Sequence, residues 1–194
     1  LEDLIGRTDL LERRKVNLSK TNSIDLSCLL DPIAAAEKRD WLIHRKDAHS
    51  NGEILENQLL EDEKFIQAIN DHGHINKSIP IRNTDRSVCA RISGEIAERH
   101  GNNGFNGQIN LIFTGGAGQS FGAFLIQGMH IRLIGEANDY VGKGINGGSI
   151  TVVPYPGGTN NCANQVILGN TCLYGATGGE LFALGRAGER FAVR

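Results

Sequence analysis

Four Gly-x-x-Gly pairs punctuate the second half of this chain, at Gly115/Gly118, Gly144/Gly147, Gly175/Gly178 and Gly185/Gly188, and the first three starts lie 29 and 31 residues apart. Three residues after each second glycine stands an apolar side chain: Phe121, Ile150, Leu181 and Phe191. Three residues further come Phe124, Val153 and Leu184, until Arg194 breaks the series. Apolar, β-prone clusters at 109–113, 121–126, 131–134, 140–141, 150–153, 166–168, 173–174, 181–184 and 191–193 follow one another at a spacing of about ten residues. Glycine and asparagine fill the intervals, and no window carries a long helical period. The pattern predicts one supersecondary unit used repeatedly, a β-solenoid whose strands meet at glycine corners. A corner needing positive φ accepts glycine first and asparagine next. A Cβ there would also collide with the neighbouring turn of the stack. The corner glycines expected on this ground are Gly115, Gly118, Gly122, Gly144, Gly147, Gly175, Gly178, Gly185 and Gly188.

Charge follows the opposite distribution. Of the 42 charged residues only nine lie beyond residue 100, whereas 22 of the 25 glycines lie between Gly94 and Gly188. The shift predicts an N-terminal arm over 1–78 and a glycine-rich domain over 79–194. Within the arm, Leu55, Leu59, Ile66 and Ile69 share one helical face and predict a helix near 54–70, capped by Asn51 and closed by Gly73. Glu61-Asp62-Glu63 reads as a solvated stretch of that helix, Pro32 breaks the chain, and Ala34-Ala35-Ala36 predicts a short helix. Val88, Ala90, Ile92 and Ile96 fit both a strand and a helix ending at Gly101. The strand is preferred because Gly94 disfavours a helix interior. The net charge of -2 asks for no nucleic-acid or membrane partner. No apolar run approaches the ~20 residues of a membrane helix. Leu1-Glu2-Asp3-Leu4 has no signal-peptide pattern and no initiator Met, as expected of a piece of something longer.

Candidate chemistry is sparse. Cys28, Cys89, Cys162 and Cys172 form no Cys-x-x-Cys pair, so reduced thiols in a cytoplasmic protein are expected rather than a zinc or redox site. Strand-like residues followed by Gly116-Ala117-Gly118-Gln119-Ser120-Phe121-Gly122 imitate a phosphate-binding loop. That motif needs a helix N-terminus behind it, and Gly128 arrives too soon. Gly185-Arg186-Ala187-Gly188-Glu189-Arg190-Phe191 nearly copies it, and a structural corner repeats where a phosphate site is unique. His72-Gly73-His74 offers two metal ligands without a third in the same motif. Glu136 and Asp139, beside Tyr140 and Lys143, permit acid–base work, but a hydrogen-bonded corner is the plainer reading. No catalytic, cofactor-binding or metal-binding residue is expected.

Longer motifs resemble one family. They are Gly115-Gly116-Ala117-Gly118-Gln119-Ser120-Phe121-Gly122-Ala123-Phe124, Glu136-Ala137-Asn138-Asp139-Tyr140-Val141-Gly142-Lys143-Gly144-Ile145-Asn146-Gly147-Gly148, Leu173-Tyr174-Gly175-Ala176-Thr177-Gly178-Gly179 and Ala187-Gly188-Glu189-Arg190-Phe191-Ala192-Val193-Arg194. Together with Asn83-Thr84-Asp85-Arg86-Ser87-Val88 and Ile5-Gly6-Arg7-Thr8-Asp9-Leu10-Leu11, they resemble the C-terminal glycine-rich domain of the glutamate synthase large subunit. Cys89 stands where that pattern has glycine, and Glu136 where it has Asp. The resemblance implies a mainly β fold, a right-handed parallel β-helix with a partly helical N-terminal arm, continued in the family by further coils. It implies a parent oxidoreductase of nitrogen assimilation that converts glutamine and 2-oxoglutarate into two glutamates. FMN and an iron–sulfur cluster would lie in the parent and no cofactor in this segment. The expected partners are the glutaminase and flavin-barrel domains, which an inactive β-helix would hold as a rigid scaffold, with an oligomer also allowed. A stand-alone β-helix subunit of a complex like formylmethanofuran dehydrogenase is the alternative. A left-handed hexapeptide-repeat transferase would need a six-residue apolar period, which the chain lacks.

Overall fold

Alternation of apolar residues at Ile109, Leu111 and Phe113, and again at Ile131, Leu133 and at Ile150, Val152, builds strands that bury this set on one face. A computed structural model describes residues 4, 6–14, 16–17, 19–31, 52–101, 103–156 and 162–193. The expected Asn51 cap and the Ala34-Ala35-Ala36 helix lie outside the described residues. The chain divides into two compact units, Leu1–His49 and Ser50–Arg194.

The first unit holds a 3-10 turn (Thr8–Leu10) and two single helical turns, α1 (Ser19–Asn22) and α2 (Ser27–Leu30). None of its described residues is buried. Local polar contacts shape it: Arg7 pairs with Asp9 at 2.6 Å, and Asp25 Oδ1 accepts the Ser27 amide at 2.9 Å ahead of α2.

The second unit is a mostly parallel sheet with three helices among the described residues. Its strands are β1 (His74–Ile81), β2 (Gln108–Ala117), β3 (Met129–Ala137), β4 (Asn146–Val153), β5 (Val166–Leu168), β6 (Gly178–Ala183) and β7 (Arg186–Ala187). The main path runs β1-β2-β3-β4-β6, with every pairing parallel. A branch leaves β3 where Ala137 pairs with Leu168 of β5, and β5 pairs with β7. The sheet does not close on itself. Register keeps like residues in line: Leu111, Ile131, Ile150 and Leu181 form one row, and Phe113, Leu133, Val152 and Ala183 another. A slip of one residue would turn each row to the opposite face, so burial of Leu111, Phe113, Ile131, Leu133, Ile150 and Val152 fixes the pairing of β2, β3 and β4. The β1–β2 connection contains a helix, but from β2 onward the described connections are turns rather than the helices that usually return a chain to a parallel strand. The expected clusters at 121–126, 140–141, 173–174 and 191–193 fall in those turns rather than in strands. They read as strands because Phe121, Leu125, Ile126 and Val141 are as buried as strand residues. Phe121 meets Phe113 edge to face, centroids 5.3 Å apart.

Two local expectations need correction. The helix expected over 54–70 is two helices, α3 (Leu55–Leu60) and α4 (Glu63–Asn70). Asp62, extended at φ -75 and ψ 110, interrupts them, because its carboxylate accepts the Lys64 amide at 2.9 Å and also binds Lys77 Nζ of β1. The acidic run is thus a helix junction. The chain leaves α4 through His72 at φ 52, while Gly73 donates to Ala68 O at 2.7 Å.

The strand expected at 88–96 is instead a helix, α5 (Ala90–His100), ending at Gly101. Ile92, Ser93 and Ile96 face the core, and Ser93 Oγ donates to Met129 Sδ at 3.2 Å. Gly94 faces solvent, with nothing within 4 Å of a Cβ placed there. Its helical penalty of about 1 kcal/mol is smaller than the gain from two buried isoleucines, each worth about 1.5–3 kcal/mol.

The glycines of β2 and β3 are unequal. A Cβ on Gly135, whose φ is 147, would lie 1.9 Å from Gly115 O, whereas one on Gly116 would meet nothing within 4 Å. Gly135→Ala should therefore lower unfolding free energy by about 3 kcal/mol or more, and Gly116→Ala by no more than about 0.5 kcal/mol. Urea unfolding midpoints of the two variants test this. Equal midpoints would contradict the stacking geometry.

Candidate functional site

The feature richest in unusual backbone is the line of turns that follows the strands. Ser87, Ser120, Tyr140, Thr171 and Arg190 hold equivalent places in successive turns, with φ between 53 and 64. Two residues later, Cys89, Gly122, Gly142, Leu173 and Ala192 do the same, with φ between 53 and 78. Phe124, Gly144 and Gly175 form a third row at φ 57 to 68. Each row is bound to the next by amide-to-carbonyl bonds. Ser87 N donates to Gln119 O, Ser120 N to Asp139 O, Tyr140 N to Asn170 O and Thr171 N to Glu189 O, at 2.8 to 2.9 Å. In the second row Gly122 N donates to Val88 O, Gly142 N to Phe121 O, Leu173 N to Val141 O and Ala192 N to Cys172 O.

Left-handed backbone costs a non-glycine residue about 1–2 kcal/mol. Here it aims every second amide along the stack, and each hydrogen bond returns about 0.5–1.5 kcal/mol. The expected corner glycines consequently fall into two kinds. Gly115, Gly122, Gly144 and Gly175 have positive φ. Gly118, Gly147, Gly178, Gly185 and Gly188 do not, and are short of room instead. A Cβ on Gly118 would come within 2.5 Å of Asn83 O, and one on Gly178 within 2.4 Å of Asn146 O. The non-glycine members of the rows carry no sequence signal, because their conformation is set by the neighbouring turn.

The loop that imitates a phosphate site is one of these turns. Gly118 N donates to Asp85 O, Ser120 N to Asp139 O, Gly122 N to Val88 O and Phe124 N to Lys143 O. Amides that a phosphate would need are thus already engaged. Asp139 is likewise engaged: its Oδ1 accepts the Asn170 amide at 2.7 Å, and Asn170 Oδ1 accepts the Glu189 amide at 2.7 Å. Lys143 Nζ lies 5.6 Å from the centre of the Tyr140 ring. Glu136 is not part of this chain of bonds. It borders an open groove of about 810 Å³ floored by Gly115, Gly116 and Gly135 and walled by Tyr155 and Ile167.

His72 and His74 part company. The His72 ring lies tilted against His100, centroids 4.2 Å apart, and stacks on Phe105, and its Nδ1 accepts the Asn106 amide at 3.1 Å. His74 contacts Gln108 Oε1. His100 Nε2 lies 2.7 Å from Ile69 O, which fixes it as a donor closing the end of α4. No group of three metal-ligating side chains occurs among the described residues.

Sequence reasoning missed one buried acid. Glu56 of α3 is only 2% exposed and reaches the start of α5, where its Oε1 accepts the Arg91 amide at 3.2 Å. Burial raises its pKa, against the amides of Arg91, Cys89 and Ile92, which favour the charge. Beside it the Cys89 thiol is fully buried and pushed far up by burial, with the Glu56 charge adding to the effect. Burial also raises the Cys172 thiol. Burial thus favours the protonated form of both thiols. Nothing in the spacing around Glu56 marks it, since the amides it serves are 35 residues away.

The GXGXG motif family matches residues 56–194. Over its full length the chain is 55% identical to ferredoxin-dependent glutamate synthase 2 of Synechocystis sp., 52% identical to the chloroplastic ferredoxin-dependent glutamate synthase 2 of Arabidopsis thaliana and 50% identical to the chloroplastic enzyme of Spinacia oleracea. It spans 12% of the length of each of these relatives.

A raised folded-state pKa at Glu56 favours the protonated form. Its contribution to stability is therefore present below the ordinary carboxyl range and lost as pH rises through the raised value. Glu56→Gln keeps an acceptor for the Arg91 amide and should remove that part of the pH dependence of urea unfolding. Glu56→Leu leaves the amide unmet and should cost about 1–3 kcal/mol throughout. Parallel pH profiles for wild type and Glu56→Gln would refute the assignment.

Proposed function

The chain belongs to the GXGXG motif family, and from that membership we propose that it is a non-catalytic structural domain of a ferredoxin-dependent glutamate synthase. The observation that carries the reading is the full-length match to a 12% segment of several such enzymes, at 50–55% identity. Segments so similar share a fold and a place in the parent. The proposed parent forms two glutamates from glutamine and 2-oxoglutarate, with electrons from ferredoxin. Chloroplastic and cyanobacterial relatives favour a plastid or bacterial cytoplasm as its compartment. No helix among the described residues is long and apolar enough to cross a membrane. The names of these relatives favour this parent over a formylmethanofuran dehydrogenase-like complex.

The finer fold reading is a right-handed parallel β-helix whose coils are the strand-and-turn units of 79–194, led by an arm over 1–78. Parallel pairing throughout and, from β2 onward, turns bonded to the next turn support it. The corner glycines then serve stacking alone. FMN and an iron–sulfur cluster would reside in other domains of the parent. Cys89 and Cys172 do not fit cluster ligation, since a cluster takes several converging side chains and neither belongs to a group of three metal-ligating side chains among the described residues. A stack tied by main-chain bonds at every turn is stiff, which suits a scaffold that fixes the glutaminase domain against the flavin barrel so that ammonia passes between them.

Removing the segment from the full-length polypeptide should uncouple the two reactions, with glutamine hydrolysed in excess over glutamate formed. Unchanged stoichiometry in the deleted enzyme sinks the scaffold. The 194-residue chain by itself should release no ammonia from glutamine.

A further inference from the structure

The sheet has two faces. One is the core. The other carries, in register, Ser78, Ile112, Arg132, Thr151 and Phe182, and beside them Pro80, Thr114, Ile134 and Val153. Leu184, two residues beyond Phe182, donates its amide to Val152 O and extends the second row. Ile112 is 39% exposed, Phe182 55% and Leu184 53%, while Ile134 and Val153 are half-buried. A surface strand facing only water would place polar side chains where Ile112, Ile134, Val153, Phe182 and Leu184 stand, as it does at Ser78, Thr114, Arg132 and Thr151. A contiguous apolar patch of this kind marks an interaction surface. Arg132 stands exposed among these residues and makes no ion pair with any described residue.

We propose that this outer face of β2, β3, β4 and β6 docks against another folded domain of the longer polypeptide, one that presents an apolar surface bearing a carboxylate to Arg132. The proposal rests on the domain reading above. The occupant is chosen because the matched relatives devote 88% of their length to other segments, the complement of the 12% this chain spans. Arg132 stands between the polar row of Asn110, His130, Ser149 and Glu180 and the apolar pair Ile134 and Val153, which calls for one acid at the edge of an apolar partner patch. The ion pair would select the docking register, while the isoleucine, valine and phenylalanine side chains supply the contact area.

Maleimide labelling tests it. Ile112→Cys and Thr151→Cys are placed separately in a Cys28→Ser, Cys162→Ser background, in the 194-residue chain and in the full-length polypeptide. Glu98→Cys, exposed on α5, serves as the control. The two face positions should label at least tenfold more slowly in the full-length polypeptide than in the 194-residue chain, with the control unchanged. Adding Arg132→Glu should restore fast labelling of the full-length Thr151→Cys protein. Equal rates in both chains overturn the proposal: fast in both means an open face, and slow in both means cover by this chain's own residues or by a second copy. Slow labelling that Arg132→Glu fails to relieve overturns the carboxylate. If labelling is unprotected while deletion of the segment still uncouples glutamine use, the face is wrong and the scaffold stands. If deletion leaves coupling intact, the scaffold reading falls whatever the labelling shows.

Discussion

Everything in the second unit depends on one repeated interaction, the main-chain hydrogen bond from a turn to the turn beside it. Strands in a parallel sheet repeat at about 4.8 Å, and turns joining them stack only if their amides point along the stack, toward the turn on one side or the other. The alternating left-handed residues accomplish this. Ser120, Gly122 and Phe124 send their amides to Asp139, Val88 and Lys143. The strained backbone is thus not a local defect that marks chemistry. It is the condition for stacking, repeated wherever the chain turns, and it is held in place by the neighbours it binds.

That constraint divides the glycines. Where φ is positive in the second row, Cys89, Leu173 and Ala192 stand in place of glycine; a turn-to-turn bond offsets the conformation at Leu173 and Ala192, and buried surface offsets it at Cys89 and Leu173. Where two backbones meet, as at Gly118, Gly147 and Gly178, no substitution is available at any φ, because a Cβ would overlap a backbone atom of the neighbouring residues. Glycine repeats at such places say how closely the backbone packs, which is why a loop resembling a phosphate cradle has its amides committed elsewhere.

The same economy governs the polar side chains. Asp139 and Asn170 bind amides of the next turn, Asp62 joins α4 to β1, and Glu56 serves the start of α5. Of the two carboxylates that sequence alone would enlist for catalysis, Asp139 is spent on assembly, while Glu136 borders the open groove. What the fold leaves unspent lies on the outer sheet face, where Arg132 and a band of apolar side chains await a partner.

The sequence by itself determined the β-rich second half, the faces of its strands and the family. Two-residue alternation, glycine spacing and long contiguous motifs are local properties, readable without knowing what lies alongside. Only the tertiary structure decided the helix at 90–100, the split at Asp62, the left-handed Phe124 and Tyr140, and the burial of Glu56. Ile92 and Ile96 satisfy both periods, and the helix won because it packs them against the core and gives Glu56 a helix start to bind. Phe124 and Tyr140 turn left-handed because carbonyls of Lys143 and Asn170 sit where their amides must go. These outcomes come from partners distant in sequence, and no local pattern encodes a partner that another turn supplies.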